Sequence, residues 1–190
     1  SGNNIVMDKE KNMRSKHATL QASLLMGLRT HHRSLRHVNL SHNRIKGAIV
    51  EAILKSNNGI EDLDMSNNSL GNEDGVAMAR GIAMSKHLKA LRLCENKLGT
   101  IGVYAIAAAI RNNKHVRARL TSLDLGGNPL GKQGADAIAE LISGNSSLLE
   151  LRLRSCELAY RLPTEIDKLM KEYDASGLLK IIGCLGYNRS

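Results

Sequence analysis

The chain has 190 residues, of which 42% are hydrophobic, and a formal net charge of +9. This hydrophobic fraction supports a buried core and excludes global disorder. No apolar run reaches the roughly 18 residues that a membrane-spanning helix needs, so we expect no membrane insertion. Trp and Phe are absent, and only four Tyr occur. The core must therefore be aliphatic, which suits a repeated architecture in which every unit solves the same packing problem.

The charge distribution and the cysteines indicate where charge is concentrated in the chain and in which compartment the protein occurs. Residues 1–59 hold ten Lys/Arg against three Asp/Glu, whereas residues 120–190 hold eight against nine, so the basic excess is interpreted as an N-terminal feature. The three cysteines, Cys94, Cys156 and Cys184, are widely spaced and form no cluster with metal-ligand spacing. An odd number of separated thiols favours the reduced state, and we therefore expect a cytoplasmic protein.

One eleven-residue pattern, L-x-x-L-x-L-x-x-N-x-L with apolar substitutions, occurs five times in register. Its copies start at Leu35, Ile60, Leu88, Leu120 and Leu148. The Asn slot is filled by Asn43, Asn68, Asn96, Asn128 and, in the last copy, Cys156. The copies are 25, 28, 32 and 28 residues apart. Five registered copies make an internal repeat the dominant signal of the chain.

Each copy predicts the same succession of elements. The alternating L-x-L predicts a short strand, and a turn containing Gly47, Gly71, Gly99 or Gly131 follows. A helical pattern comes next, at 48–55, 75–84, 101–111 and 132–143, with Ala135, Ile138, Ala139 and Ile142 on one face of the last helix. A similar pattern at 18–29 precedes the first copy. After the fifth copy, a capping-box-like start at Thr164 predicts a helix, and the apolar segment 178–185 predicts a degenerate sixth strand.

This pattern resembles the leucine-rich-repeat family, and specifically its ribonuclease-inhibitor-like class. The resemblance implies an α/β fold: a right-handed solenoid, curved into an arc, with a parallel sheet on its concave face and helices on its convex face. Strand spacing of about 4.8 Å against helix spacing of about 8–10 Å accounts for the curvature. We assign 1–17 to a basic N-terminal segment or degenerate first strand, 18–163 to the repeat array, and 164–190 to the C-terminal helix and sixth strand.

The repeated Asn has a structural explanation. We expect its side-chain amide to satisfy backbone donors and acceptors in the bend after each strand, forming a ladder of Asn43, Asn68, Asn96, Asn128 and Cys156. Asn113 lies outside the repeat pattern, and we expect it to be exposed.

Several segments carry only part of a ligand-binding or catalytic motif. Gly126–Gln133 resembles a phosphate-binding loop but lacks the Ser or Thr after Lys132, and the repeat already explains its residues. His31, His32, His37 and His42 lack acidic or thiol neighbours in sequence. We interpret Asp62 and Asp64 as an acidic patch. We therefore expect no catalysis, no metal, no cofactor and no small-molecule substrate.

The outward positions of the predicted strands define a candidate partner-binding surface, the concave face. Its residues are Arg36, His37, Asn39, Asp62, Asp64, Lys89, Arg92, Asp124, Glu150, Arg152 and Arg154. The face is charged and lacks aromatics, which favours electrostatic selection of a protein partner and argues against base stacking on nucleic acid. Acidic Asp62 and Asp64 next to basic Arg92 and Arg152 predict adjacent patches of opposite sign.

The leading hypothesis is therefore a protein-interaction scaffold whose concave face binds another protein. The pattern is also similar to that of Ran GTPase-activating proteins, which implies a regulator of a small GTPase as the alternative. Two further alternatives are a sensor fragment of a nucleotide-binding receptor and an actin-binding repeat domain of the tropomodulin type, which would make the partner a cytoskeletal protein.

Overall fold

The computed structural model describes Ser23, Met26 and residues 35–56, 59–144, 147–156 and 180–182. Six strands occur in this part of the chain: β1 His37–Asn39, β2 Asp62–Asp64, β3 Ala90–Arg92, β4 Ser122–Asp124, β5 Glu150–Arg152 and β6 Lys180–Ile182. Five helices alternate with them: α1 Gly47–Ser56, α2 Asn72–Ile82, α3 Thr100–Asn112, α4 Lys114–Arg117 and α5 Gly131–Ser143. The four helices predicted between the copies are present, and the short α4 was not predicted.

The strands form one parallel sheet in the order β1 to β6. The register aligns the central apolar residue of each L-x-L with its counterpart in the next repeat, as in the pairing of Leu63 with Leu91 and of Leu91 with Leu123. These residues are fully buried, while the residues on either side of them face away from the helices. The predicted α/β leucine-rich-repeat solenoid is confirmed.

The core lies between the sheet and the stacked helices, and it is aliphatic throughout its described part. Small residues let neighbouring helices approach closely. A Cβ on Gly75 of α2 would lie 2.7 Å from the Cα of Gly102 in α3, so this contact excludes a side chain. On α5 the buried face contains Leu141 in place of the predicted Ala139, which is only partly buried.

The buried side chains of Asn68, Asn96 and Asn128 close the bends after β2, β3 and β4. The Asn96 amide group donates to the carbonyl oxygens of Leu93 at 2.9 Å and Met65 at 3.1 Å. Its Oδ1 accepts the backbone N–H groups of Asn68 at 2.9 Å and Leu70 at 3.0 Å. Each such side chain therefore joins its own bend to the preceding repeat, and Asn68 and Asn128 make the same kinds of bonds.

The two ends of this series differ from its middle. Asn43 is exposed, and its amide donates to the carbonyl oxygen of Ser41 at 2.6 Å. Cys156 is buried, and its thiol donates to the Leu125 carbonyl oxygen at 3.1 Å. The Leu130 N–H is accepted by the Cys156 backbone carbonyl at 3.1 Å, so the inter-repeat bond is retained although the side chain is smaller.

A second set of inter-repeat bonds joins the helix N-termini, where unpaired N–H groups need acceptors. Asp74 Oδ1 accepts the N–H of Gly47 in the preceding repeat at 2.8 Å. Asn72 Oδ1 accepts the N–H groups of Gly99 and Gly102 in the following repeat at 3.0 and 2.8 Å. Side chains of α2 therefore cap both neighbouring helices.

Several predicted features lie outside the described residues. These are the segment 1–17, most of the helix at 18–29, the C-terminal helix, and residues His31, His32 and Cys184. The predicted exposure of Asn113 is wrong. Its side chain is buried and donates to carbonyl oxygens of Ile82 at 2.8 Å and Ser85 at 2.8 Å, while its Oδ1 caps α4.

We predict that Asn96→Leu lowers the free energy of unfolding by about 1–3 kcal/mol, because the substitution leaves buried backbone groups without partners. Urea denaturation followed by circular dichroism measures the change. Asn112→Leu is the matched control, since Asn112 is exposed in α3. Equal losses in the two variants would contradict the role assigned to the buried amide.

We also predict that the carboxyl group of Glu51, on helix α1, has an unusually low pKa. Hydrogen bonds from Arg80 and Lys55 lower the pKa of Glu51 from 4.5 to about 2. Because this pKa is depressed by folding, the stabilisation is present above pH 4.5 and is lost as the pH falls toward 2. Carboxyl-carbon NMR titration should find this pKa near 2, and Arg80→Met should raise it. Titration of wild-type Glu51 near 4.5 would contradict the ion pairs, and the distant Lys86→Met should leave its pKa unchanged.

Candidate protein-interaction surface

The strand register assembles the concave face into rows that run across the repeats. One row, at the last residue of each strand, contains Asn39, Asp64, Arg92, Asp124 and Arg152. A second row, at the first residue, contains His37, Asp62, Ala90, Ser122 and Glu150. Asp124 therefore lies between Arg92 and Arg152 in one row, so the two arginines are about 10 Å apart.

In the row at the last residue of each strand, three side chains accept hydrogen bonds from the backbone. Asn39, Asp64 and Asp124 each use Oδ1 to accept the N–H two residues later, at 2.9, 2.9 and 3.0 Å. This arrangement shapes the turn that leads from the strand into the bend. Arginine has no acceptor, so Arg92 hydrogen-bonds to Asp62 of the preceding repeat and Arg152 to Glu150 of its own strand.

A network of ion pairs occupies the N-terminal half of the face. Arg92 forms a bidentate pair with Asp62, at 2.5 and 3.2 Å, which raises the pKa of the Arg92 guanidinium. The His37 Nδ1 lies 3.8 Å from the same carboxylate. Lys89 lies 2.7 Å from Glu61 and lowers the pKa of that carboxyl, with Arg36 at 3.8 Å. Sequence reasoning did not include Glu61, which is the centre of this second pair.

The C-terminal half is organised around Arg152. Its NH2 group donates to Glu150 at 2.9 Å, and its NH1 lies 3.8 Å from Asp124. The predicted adjacent patches of opposite sign are therefore wrong as stated. Asp62 is neutralised by Arg92, and Arg152 is neutralised by its acidic neighbours, so most of the charge is compensated within the face.

Beside Arg152 lies a cleft of about 380 Å³, which sequence reasoning missed. Its lining residues are Cys94, Glu95, Asp124, Gly126, Gly127, Arg152 and Arg154. The cleft exists because two glycines occupy positions that carry side chains in the other repeats, such as Cys94 and Glu95 in the preceding one. Gly127 has a φ of 66°, and a Cβ there would come within 2.5 Å of a Glu95 carboxylate oxygen.

Two side chains of opposite charge flank Gly126 and Gly127 in the cleft. Arg154 and Glu95 are both exposed, and neither forms an ion pair within the described residues. They contrast with Arg92, Arg152 and Asp62, which are already paired. Arg154 and Glu95 are therefore the charges of the cleft that remain available to a partner.

The Cys94 thiol in the cleft is not set up as a nucleophile. Burial raises the pKa of Cys94, and the nearby carboxylates of Asp124, Asp64 and Glu95 act in the same direction, while a hydrogen bond to Ser66 Oγ at 3.1 Å lowers it. The balance keeps the thiol protonated at neutral pH, whereas a reactive cysteine needs the thiolate.

Other chemistry finds no support in the described part of the chain. No group of three or more His, Cys, Asp or Glu side chains there could hold a metal ion. The loop-like segment before Lys132 leads into α5, which begins at Gly131, as the repeat requires. None of the helices in the described residues is both long and apolar enough to cross a membrane.

Comparison with known proteins identifies the family of these repeats. A family model described as "Leucine Rich repeat" matches residues 31–54, 56–79, 85–107 and 120–139. The four matched segments cover the first four copies of the pattern.

Two curated relatives share part of the chain. Protein phosphatase 1 regulatory subunit 37 homolog of Caenorhabditis briggsae is 27% identical over 126 residues, which is 64% of this chain and 14% of that protein. RAN GTPase-activating protein 2 of Arabidopsis thaliana is 33% identical over 95 residues, which is 50% of this chain and 17% of that protein. The chain thus spans less than a fifth of the length of either relative.

Two solved structures share the fold. The tropomodulin C-terminal domain of Caenorhabditis elegans covers 82% of this chain and 94% of its own, with a TM-score of 0.62 and 15% identity. The actin-binding site 2 of leiomodin-1 covers 80% of this chain and 88% of its own, with a TM-score of 0.59 and 18% identity. The repeat match, the parallel register and the buried Asn series agree, and the chain belongs to the leucine-rich-repeat family.

Proposed function

We propose that the chain is a recognition module that binds a protein partner through its concave face, centred on the Gly126–Gly127 cleft. The observation that carries this proposal is the pair of opposite, uncompensated charges at that cleft. Arg154 and Glu95 have no ion-pair partner among described residues, whereas the surrounding charges neutralise one another. A partner that brings one acidic and one basic side chain would complete both pairs.

The chemistry of the face favours a protein over a small ligand. A cleft of about 380 Å³ holds one or two amino-acid side chains and is lined largely by charged residues and glycine backbone. Small-molecule sites are lined mostly by hydrophobic and aromatic side chains, and Cys94 is the one apolar side chain among the lining residues here. The paired charges around the cleft form a polar rim, which in protein interfaces sets orientation and register more than affinity.

The proposed surface keeps all the residues expected from the sequence but ranks them differently. Arg154 is the main contact, and Glu95 joins it. Arg92 and Arg152 act second, because a partner must compete with their internal carboxylates. Asp124 is buried and lines the cleft. The remaining members, which contribute to the outer rim, are Arg36, His37, Asn39, Asp62, Asp64, Lys89 and Glu150.

The relatives supply concrete candidates for the partner. Their names point to protein phosphatase 1 and to Ran, and the name of the leiomodin-1 structure points to actin. The 33% identity with RAN GTPase-activating protein 2 supports a second candidate function, regulation of a small GTPase, although no catalytic residue is assigned to this chain. We propose a cytoplasmic setting, in agreement with the widely spaced cysteines.

We predict that Arg154→Glu weakens binding of the partner by at least about tenfold, or about 1.4 kcal/mol. The reversed charge would face Glu95 and repel the acidic side chain of the partner. Biolayer interferometry with purified Ran, protein phosphatase 1 and actin measures the effect for whichever protein binds. The loss should shrink at high salt, because exposed charges are screened over about 8–10 Å.

Lys97→Glu is the matched control for this experiment. Lys97 is an exposed cation with no ion pair in the described residues, and it does not line the cleft. Its reversal should leave binding nearly unchanged. A loss with Lys97→Glu but not with Arg154→Glu would place the partner elsewhere, and binding by none of the three candidates would contradict the assignment of partners.

GTP hydrolysis by Ran, measured with and without the chain, separates the two candidate functions. We expect binding without acceleration, because the cleft presents Arg154 beside Glu95 rather than a lone arginine. Accelerated hydrolysis that Arg154→Glu abolishes would establish the regulatory function instead.

A further inference from the structure

A second basic region lies far from the N-terminus. Residues 75–123 hold nine Lys/Arg and a single acidic residue, Glu95. The basic excess, predicted to be an N-terminal feature, is therefore not confined to the N-terminal segment. The acidic residues between 61 and 74 partly offset these cations in the net charge of residues 60–119.

Internal ion pairs account for four of the nine cations. Arg80 pairs with Glu51, Lys89 with Glu61, Arg92 with Asp62, and Arg111 with Glu140. The other five are exposed and form no ion pair within the described residues: Lys86, Lys97, Lys114, Arg117 and Arg119. All of these except Lys97 lie in the loops that lead from a helix to the next strand. We call Lys86, Lys114, Arg117 and Arg119 the basic edge.

Side-chain hydrogen bonds hold these loops together. Asn113, which directly precedes α4, donates to the carbonyl oxygens of Ala83 and Ser85 at 3.1 and 2.8 Å. This ties the loop of Lys86 to the helix that carries Lys114 and Arg117. On the other side, Ser147 Oγ donates to the carbonyl oxygens of Arg117 at 2.7 Å and Leu120 at 2.9 Å. Three consecutive loops therefore form one continuous surface.

Within the described residues, a second helix between two strands occurs only here, as α4 between α3 and β4. It lengthens the spacing between copies to 32 residues, against 25 or 28 elsewhere. Three of the four cations lie on α4 or within two residues of its end. The inserted segment therefore brings both the cations and the buried hydrogen bonds of Asn113 to one place. The other described repeats form the same strand and helix without such an insertion.

Exposed apolar side chains flank the cations. Met84 is 57% exposed in the loop before Lys86, and Leu149 is 51% exposed in the loop after Ser147. Phosphodiester backbones offer no apolar group for such side chains. The described loops contain no Phe, Tyr or Trp that could stack on a base, and the rings at the basic edge are the imidazoles of His87 and His115. A polypeptide can supply both carboxylates and apolar side chains.

We propose that the basic edge is a second binding surface, which takes an extended acidic segment of a protein partner with apolar residues among its carboxylates. Successive loops follow the strand spacing of about 4.8 Å, so three loops span about 10 Å. Alternate residues of an extended segment are about 7 Å apart, and three to five residues cover this span. The proposal goes beyond the concave face, because none of its four cations belongs to that face.

The test uses the full chain and a fluorescein-labelled peptide, Glu-Glu-Leu-Glu-Glu-Leu-Glu-Glu, with binding measured by fluorescence anisotropy. We expect Lys114→Glu/Arg117→Glu to weaken peptide binding by at least about tenfold. Lys46→Glu/Lys97→Glu changes the net charge by the same amount at exposed sites outside both surfaces and should have less than about a twofold effect. Equal losses in the two double variants would overturn the proposal, because binding would then depend on net charge alone.

Two further probes decide between classes of partner. A single-stranded oligonucleotide of mixed sequence and vesicles containing phosphatidylserine are measured with the same variants. Tighter binding of either probe than of the peptide, lost in Lys114→Glu/Arg117→Glu, would overturn the assignment to a protein segment. Weaker binding of both supports it.

Changes in the amide chemical shifts of the wild-type chain on addition of the peptide locate the binding site without any variant. This measurement therefore tests the proposal even if a variant unfolds. Shifts confined to residues 84–87, 114–119 and 147–149 support the proposal, and shifts centred on the Gly126–Gly127 cleft overturn it. The outcome is independent of the concave-face experiment, where Arg154→Glu alone is decisive.

Discussion

The buried Asn amide that follows β2, β3 and β4 is the interaction on which the rest of the structure depends. Its amide group donates to carbonyl oxygens of two successive repeats, and its Oδ1 accepts the N–H groups of the preceding bend, as Asn96 does with Met65 and Leu70. These are all buried backbone groups, which cost free energy if they lack partners. A chain that satisfies them in this way must stack its repeats at one fixed offset, which is the observed parallel register.

That offset determines the chemistry of the concave face. It places Arg92, Asp124 and Arg152 in one row, where their neighbours decide whether each charge is used internally. Asp62 and Glu150 compensate the two arginines, while the glycines after Asp124 leave a cleft with Arg154 and Glu95 uncompensated. Selectivity of the proposed interface therefore arises from a few exceptions to the repeat, and the insertion that creates α4 is another such exception.

The sequence predicted the features that the repeat controls and missed those that depend on single side chains. The L-x-L periodicity located the strands, and the helices between the copies were placed to within a few residues, because the same packing recurs in every unit. The α4 sequence Lys-His-Val-Arg has too little periodicity to be recognised. Asn113 appeared exposed, since its acceptors are carbonyl groups about 30 residues earlier. The cleft is formed by missing side chains, and the ion pairs depend on rotamers that no spacing rule specifies.

Hydrogen exchange of the Leu70 and Leu98 amides tests the central claim most directly. These N–H groups donate to Asn96 and Asn128 side chains rather than to backbone carbonyl groups of a strand or helix. If the Asn series holds the repeats in register, both amides should exchange only through global unfolding, with the free energy found by urea denaturation. Exchange that is orders of magnitude faster than that of the buried strand amide of Leu91 would contradict the account.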